Sequence, residues 1–331
     1  MRLPLLALAL MLALPTAASA VGPPRRPAAA HKTAIFFYPW YSNPRTDGQY
    51  AHWTQGGHVP PLDVASHFFP ARGAYSSSDP RVLRGQMRDI SDAGIDQVVS
   101  SWWGMGSPED RRLGAVVRVA RRFSLDVAVQ LEPYSGRTAD TVIADLAYLH
   151  GLGIHDVYVY RTVDLPAADW RRVTQQSSGL RLFAQTNRVG FAASAGFAGF
   201  YTYDILLYDG AKFDRLCAQA HRRGILCAPS VGPGYEAWQA TRDLRAKPRR
   251  DGATYDSMWG AAVRAHADVV TITSYNEWSE GTQIEPAGHG GRYESYDGAW
   301  GLHGRAAERA YLKRTAFWTS TFKHAVPGIK R

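Results

Sequence analysis

The stretch DPRVLRGQMRDISDAGIDQVVSSWW, residues 79–103, decides the fold. It opens as a helix: Asp79 can cap the N-terminus, Pro80 fits the first helical position, and Leu83, Met87 and Ile90 recur on one face. Gly94 stops it. The period then changes to a short β-rich run at 96–101, which closes on Trp102 and Trp103. A helix delivered directly into a buried strand is half of a parallel βαβ unit.

The same alternation extends in both directions. Eight apolar, β-rich runs occur, at 33–38, 96–101, 125–131, 156–160, 181–186, 198–203, 225–230 and 268–274, most followed by helical spacing. Ser107 and Pro108 open one such helix with Asp110 at N3; Val142, Leu146 and Leu149 mark another. Eight units in a single domain predict an α/β fold, a (β/α)8 TIM barrel over residues 32–331, with its site at the C-terminal ends of the strands. The alternative, a doubly wound open sheet, would be marked by a Gly-rich dinucleotide turn after a strand, and none occurs. The segment 187–196 is poor in helix signals, which predicts a degenerate unit there.

Ahead of this domain, Arg2, an apolar run at 3–14 and Ala18-Ser19-Ala20 predict a secretory signal peptide over residues 1–20, cut before Val21. The run is too short for a stable span, and no later run is long enough to cross a bilayer. Residues 21–31, rich in Pro, Ala and Arg, predict a disordered lead-in. The expectation is a secreted protein, a monomer with no stable membrane insertion.

The net charge is +9, or +8 without Arg2. Arg111, Arg112, Arg118, Arg121 and Arg122 fall on one outer helix, so the excess describes a solvated face and not a nucleic-acid interface. Cys217 falls on a helix and Cys227 on the following strand. Export permits a disulfide between them, and two buried thiols fit equally well; the pair is no metal signature.

Strand ends test the barrel. They present Tyr38, Trp40 and Tyr41; Trp102 and Trp103; Glu132 and Tyr134; Tyr158 and Tyr160; Gln185 and Asn187; Tyr201 and Tyr203; and, last, Tyr275-Asn276-Glu277-Trp278-Ser279-Glu280. Aromatic rings stack on the apolar faces of sugars, and carboxylates and amides bind their hydroxyls. A lone Trp or Glu at a strand end is ordinary rim packing or an ion pair. Six aromatic strand ends, and two glutamates three residues apart without adjoining basic residues, point to a carbohydrate cleft with Glu277 and Glu280 as its catalytic pair. No His stands at ligand spacing to them, since Ser279 separates the pair and His289 lies in a Gly-rich stretch, so neither a metal nor another cofactor is expected.

The run from Tyr275 to Ala287 closely resembles glycoside hydrolase family 99, the endo-α-1,2-mannosidases and bacterial endo-α-1,2-mannanases. The likeness also takes in Tyr38-Pro39-Trp40-Tyr41, Asp47-Gly48, His52-Trp53, Tyr75-Ser76-Ser77, Ser101-Trp102-Trp103, Glu132-Pro133-Tyr134, Tyr201-Thr202-Tyr203 and the run from Pro229 to Tyr235. The resemblance implies a barrel, a retaining endo-acting glycosidase without metal, an α-mannan or mannose-rich substrate, and Glu277 and Glu280 as the catalytic pair. It implies that Tyr38, Trp40, Trp103, Glu132 and Tyr203 line sugar subsites. It further implies a mechanism in which the sugar's own 2-OH attacks C1, Glu277 acting as its base and Glu280 as the acid. Trp103 stands where bacterial members carry Trp and animal members Tyr, which implies a mannosyl residue on the non-reducing side. The chain departs from the family pattern at Ser279 (usually His), Arg161 (usually Asp) and Asp204 (usually aromatic). These departures bear on subsites, and leave open a different α-linked polymer or, from another class, a carbohydrate-binding barrel without activity.

Overall fold

The computed structural model describes residues 31–288 and 291–325. The expected signal peptide, nearly all of the lead-in, and His289 lie outside these residues. Eight strands form the barrel: β1 (Lys32–Phe37), β2 (Gln97–Trp102), β3 (Asp126–Leu131), β4 (Asp156–Val159), β5 (Arg181–Gln185), β6 (Gly199–Tyr201), β7 (Leu226–Ala228 continuing as Ser230–Val231) and β8 (Val269–Ile272). Neighbours pair in parallel throughout. β7 comes in two pieces because Pro229 has no N–H to donate. The first piece pairs with β6 and the second with β8, so the two edges of the sheet are consecutive in the chain. Asp268 N–H donates to Cys227 O at 2.9 Å and Thr271 N–H to Pro229 O at 3.1 Å, which closes the ring.

Eight helices surround it: α1 (Pro80–Asp92), α2 (Pro108–Arg121), α3 (Ala139–Gly151), α4 (Ala167–Gln175), α5 (Val189–Ser194), α6 (Phe213–Arg222), α7 (Ala253–Arg264) and α8 (Ala310–His324). The caps are those the sequence offers: Asp79 accepts from Arg81 N–H at 2.8 Å and Ser107 from Asp110 N–H at 3.1 Å. The unit expected to be degenerate keeps a helix, the six-residue α5. Its Val189 and Ala192 are buried, and two apolar anchors are enough for so short an element. His31, expected in the disordered lead-in, is instead stacked on Phe322, with ring centroids 4.9 Å apart.

Period-two alternation divides the sheet's two faces. Ala34, Phe36, Tyr38, Val99, Tyr158, Phe183, Tyr201 and Leu226 fill the barrel interior. Ile35, Phe37, Val98, Trp102, Leu131 and Val159 pack outward among the helices. Gly199 is required inside this interior, because a Cβ there would come within 2.7 Å of the Phe183 ring. Cys217 on α6 and Cys227 on β7 form a disulfide with Cα atoms 5.1 Å apart, which decides between the two readings of the pair. Among the described residues no helix is long and apolar enough to cross a membrane.

Candidate active site

The chain leaves β8 in a turn that carries both glutamates. Ser274 N–H donates to Thr282 O at 2.8 Å, Gly281 N–H to Trp278 O at 3.2 Å and Thr282 N–H to Glu277 O at 3.3 Å. Glu277 N–H donates to Ser274 Oγ at 2.8 Å, and Ser274 Oγ pairs with Thr282 Oγ1 at 2.9 Å. Gly281 sits at φ 64°, where a Cβ would meet Glu236 O at 2.9 Å, so the turn can close only with glycine. Glu236 N–H donates to Glu280 O at 2.8 Å and ties a neighbouring hairpin to the same turn.

Beneath the turn lies a polar support that sequence reasoning did not assign. Glu285 is fully buried and accepts from Arg72 at 3.1 Å, Gln86 at 3.0 Å, Tyr75 at 2.8 Å and Trp278 Nε1 at 3.0 Å. Asp89 on α1 continues it, accepting from Arg72 at 2.7 Å and Tyr275 at 3.2 Å. The only sequence signal was the apolar setting of the run Gln283-Ile284-Glu285-Pro286, which predicts a buried and therefore paired carboxylate.

Several residues expected to bind sugar belong to this support. Tyr41 is buried; its hydroxyl donates to Asn276 O at 3.0 Å and accepts from Trp278 N–H at 3.1 Å. Asn276 uses its amide on Tyr38, accepting from its N–H at 2.8 Å and donating to its carbonyl at 3.0 Å. Trp278 is buried against the helices, with Nε1 on Glu285. Trp102 also faces outward, its Nε1 donating to Asp110 at 2.8 Å. Tyr201 is enclosed in the barrel interior below Tyr203. Tyr134 is half-buried, and its hydroxyl is spent on Asp145. For these six the placement differs from the expectation: strand alternation turns Trp102 outward, Tyr201 is enclosed below the mouth, and Tyr41, Tyr134, Asn276 and Trp278, in the loops beyond the strands, spend their polar groups on the fold.

The others converge. Tyr38 and Tyr203 share a hydrogen bond between their hydroxyls at the top of the barrel. Tyr203 takes φ 57°, held by Ser230 Oγ on its N–H at 2.7 Å and Thr273 Oγ1 on its carbonyl at 3.1 Å. Trp40 stacks on His52 with centroids 4.5 Å apart, and its Nε1 is buried without a hydrogen-bond partner. Trp103 is 37% exposed. Glu132 accepts from Ser101 Oγ at 2.8 Å. Tyr160, Tyr203, Tyr235, Asp204, Arg245 and Glu280 line a cavity of about 120 Å³. A larger apolar groove of about 660 Å³, lined by Leu62, Phe69 and Tyr293, contains none of these residues.

The electrostatics are those of crowded, desolvated acids. Burial, then the charge of Glu280, pushes Glu277 well above the usual carboxylate range, against a hydrogen bond from Ser279 Oγ that favours its ionised form. Burial, then Asp204 and Asp243, raises Glu280 to about 7, against the pull of Arg245. Burial raises Glu132 to about 8, so at neutral pH it is a hydrogen-bond donor as well as an acceptor. The charge of Glu280 opposes ionisation of Glu277, so the two buried carboxyls titrate as a pair. Both carboxyls are raised, the Ser279 hydroxyl opposing the rise at Glu277 and Arg245 opposing it at Glu280.

The three departures from the family pattern are now placed. Ser279 touches Glu277 directly. Asp204 Oδ1 accepts from Leu206 N–H at 2.8 Å and shapes the cavity wall. Arg161 points outward onto Asp164 at 3.1 Å, with its side chain 59% exposed. His67, Glu236 and Glu294 are the one group of metal-ligand type among the described residues, and the glutamate pair is not part of it.

Residues 29–167 and 171–324 match the model of Glycosyl hydrolase family 99. The chain belongs to that family. It is 31% identical over 312 residues to a glycoprotein endo-alpha-1,2-mannosidase-like protein of Danio rerio, covering 76% of this chain and 70% of that one. It is 28% identical over 334 residues to the glycoprotein endo-alpha-1,2-mannosidase of Mus musculus, covering 84% and 72%. The family 99 endo-alpha-mannosidase of Bacteroides thetaiotaomicron superposes with a TM-score of 0.79 at 26% identity, over 89% of this chain and 98% of that one. The family 99 chain is thus an endo-α-mannosidase-like glycoside hydrolase, and a mannose-containing glycan substrate is in keeping with enzymes of this family.

Proposed function

We propose that this hydrolase is a secreted, retaining endo-α-1,2-mannanase in which the substrate's 2-OH supplies the nucleophile. The observation that carries the reading is the asymmetry within one turn. Glu277 is buried and receives a hydroxyl hydrogen bond from Ser279, whereas Glu280 lines an open cavity from which it can reach a leaving oxygen and water. In an α-mannoside O2 and the leaving oxygen are trans-diaxial. Glu277 takes the proton from O2, O2 closes on C1 to give a 1,2-anhydro sugar, and Glu280 protonates the departing oxygen. Glu280, now a base, removes a proton from water as it opens the anhydro ring at C1, and O2 regains its proton from Glu277. The partial positive charge at C1 is stabilised by the carboxylate and by the Tyr38 and Tyr203 hydroxyls.

Export is supported by the Cys217–Cys227 disulfide, which persists in oxidising compartments. N-terminal sequencing of protein from culture medium should read Val21; a membrane-bound product retaining Met1 would remove that part of the reading. Ser279 against Glu277 and Asp204 in the cavity wall favour a second reading, the same mechanism on another α-linked polysaccharide. Incubation with α-1,2-mannan and a panel of other α-glycans, with products followed by NMR, separates them. Short mannooligosaccharides released first as the α-anomer are expected. Release of the β-anomer, or cleavage of a different α-glycan alone, would contradict the proposal.

A further inference from the structure

The strand order of the barrel gives the cleft a direction. Trp103 follows β2, and the loop carrying Asp204 follows β6, on the opposite side of the ring. Glu280, in the turn after β8, stands midway between them. With Trp103 beside the sugars that are retained, the sugar that departs faces β6 and β7. There the cavity of about 120 Å³ opens, walled by Glu280 itself, Asp204, Tyr235 and Arg245. We infer that Asp204 and Arg245 bind hydroxyls of the first sugar on the leaving-group side and so select which α-glycan is cleaved. The inference rests on the reaction proposed above and names residues that set its specificity.

Both side chains are held from behind, and each leaves a polar atom unspent. Asp204 Oδ1 accepts from Leu206 N–H at 2.8 Å and from Leu207 N–H at 3.1 Å, which fixes the carboxylate in its wall. Arg245 lies in the hairpin that joins Tyr235–Glu236 to Ala246–Lys247. Its Nε and Nη2 donate to Asp243 at 3.0 Å and 2.6 Å, and the Tyr235 hydroxyl donates to the same carboxylate at 2.9 Å. Among the described residues, Asp204 Oδ2 and Arg245 Nη1 make no hydrogen bond. A carboxylate that only accepts and a guanidinium that only donates, on the walls of one small cavity, suit two hydroxyls of a single pyranose. The volume is that of about four waters, which admits the hydroxyl-bearing edge of one ring. An aromatic residue, usual in the family at the position of Asp204, would offer the departing sugar a face. The carboxylate offers an acceptor instead, so discrimination depends on where a hydroxyl points.

Asp204 and Arg245 also act on the charge of Glu280, so the test first removes that route. Binding of α-1,2-mannotetraose to Glu280→Gln is measured by calorimetry, with and without a second substitution. Adding Asp204→Ala or Arg245→Ala should weaken binding by about 10-fold each. In enzyme that keeps Glu280, Asp204→Ala should lower kcat/KM on the oligosaccharide about 10-fold more than on an α-mannobiosyl fluoride, whose leaving group does not reach the cavity. Affinities within about two-fold of Glu280→Gln alone, or equal losses on the two substrates, would overturn the assignment while leaving the proposed reaction standing. A wild-type enzyme that cleaves no α-1,2-mannan would overturn that reaction and this assignment with it. If Asp204→Ala fails to fold, Arg245→Ala decides, since its side chain is 66% exposed.

Discussion

Glu280 and Glu277 are chemically identical, and their surroundings separate them. Because the acid must carry its proton, kcat/KM should fall as pH rises through about 7, and Glu280→Gln should erase that limb of the profile. A limb that survives the substitution would assign the titration elsewhere. Trp103 and Trp102 show how alternation separates neighbours. Gln97, Val99 and Ser101 of β2 point inward, so Trp102 points out among the helices and Trp103 is released at the mouth. Reading both as cleft residues used position at a strand end and ignored the period of two, although the period was present in the sequence. Trp103→Ala should raise KM with little change in melting temperature; a large loss of stability with KM intact would make it a packing residue.

At the level of elements, the glutamate turn is only as well placed as the ionic support under it. Glu285→Ala would leave Arg72, Tyr75 and Trp278 donors buried without their acceptor, a loss of about 3–5 kcal/mol readable in denaturant unfolding. A loss under about 1 kcal/mol would mean that water replaces the carboxylate there. This network escaped sequence reading because its members come from residues 72–89, 275–278 and 285, which only the closed barrel brings together. Local signals fared better. The caps at Asp79 and Ser107 were legible, since capping is decided within a single turn of chain. The disulfide was not, because the separation of Cys217 and Cys227 depends on how α6 packs on β7. The short α5 stands where a degenerate unit was expected: packing, and not helix propensity, holds a helix of six residues.

For the whole molecule, eight β-rich runs and their helices were enough to read the barrel, while the break at Pro229 that lets β7 pair with both neighbours needed the three-dimensional ring. The molecule also carries a collective cost: Glu132, Glu277 and Glu280 all bind protons more tightly folded than unfolded. Raised folded pKa values mean that this group of acids favours the native state at low pH and disfavours it as pH climbs toward about 8. The melting temperature should therefore fall between about pH 4.5 and about pH 8, and Glu132→Gln should flatten the slope; an unchanged slope would show that Glu132 is ionised in the fold. The division of labour between the two glutamates is tested most directly with an α-mannobiosyl fluoride, whose leaving group needs little protonation. Glu280→Gln should retain fluoride release while losing the natural oligosaccharide, and Glu277→Gln should lose both by roughly 100-fold or more. Glu277→Gln releasing fluoride at the wild-type rate, or a 2-deoxy-2-fluoro sugar found bonded to Glu277, would contradict the account.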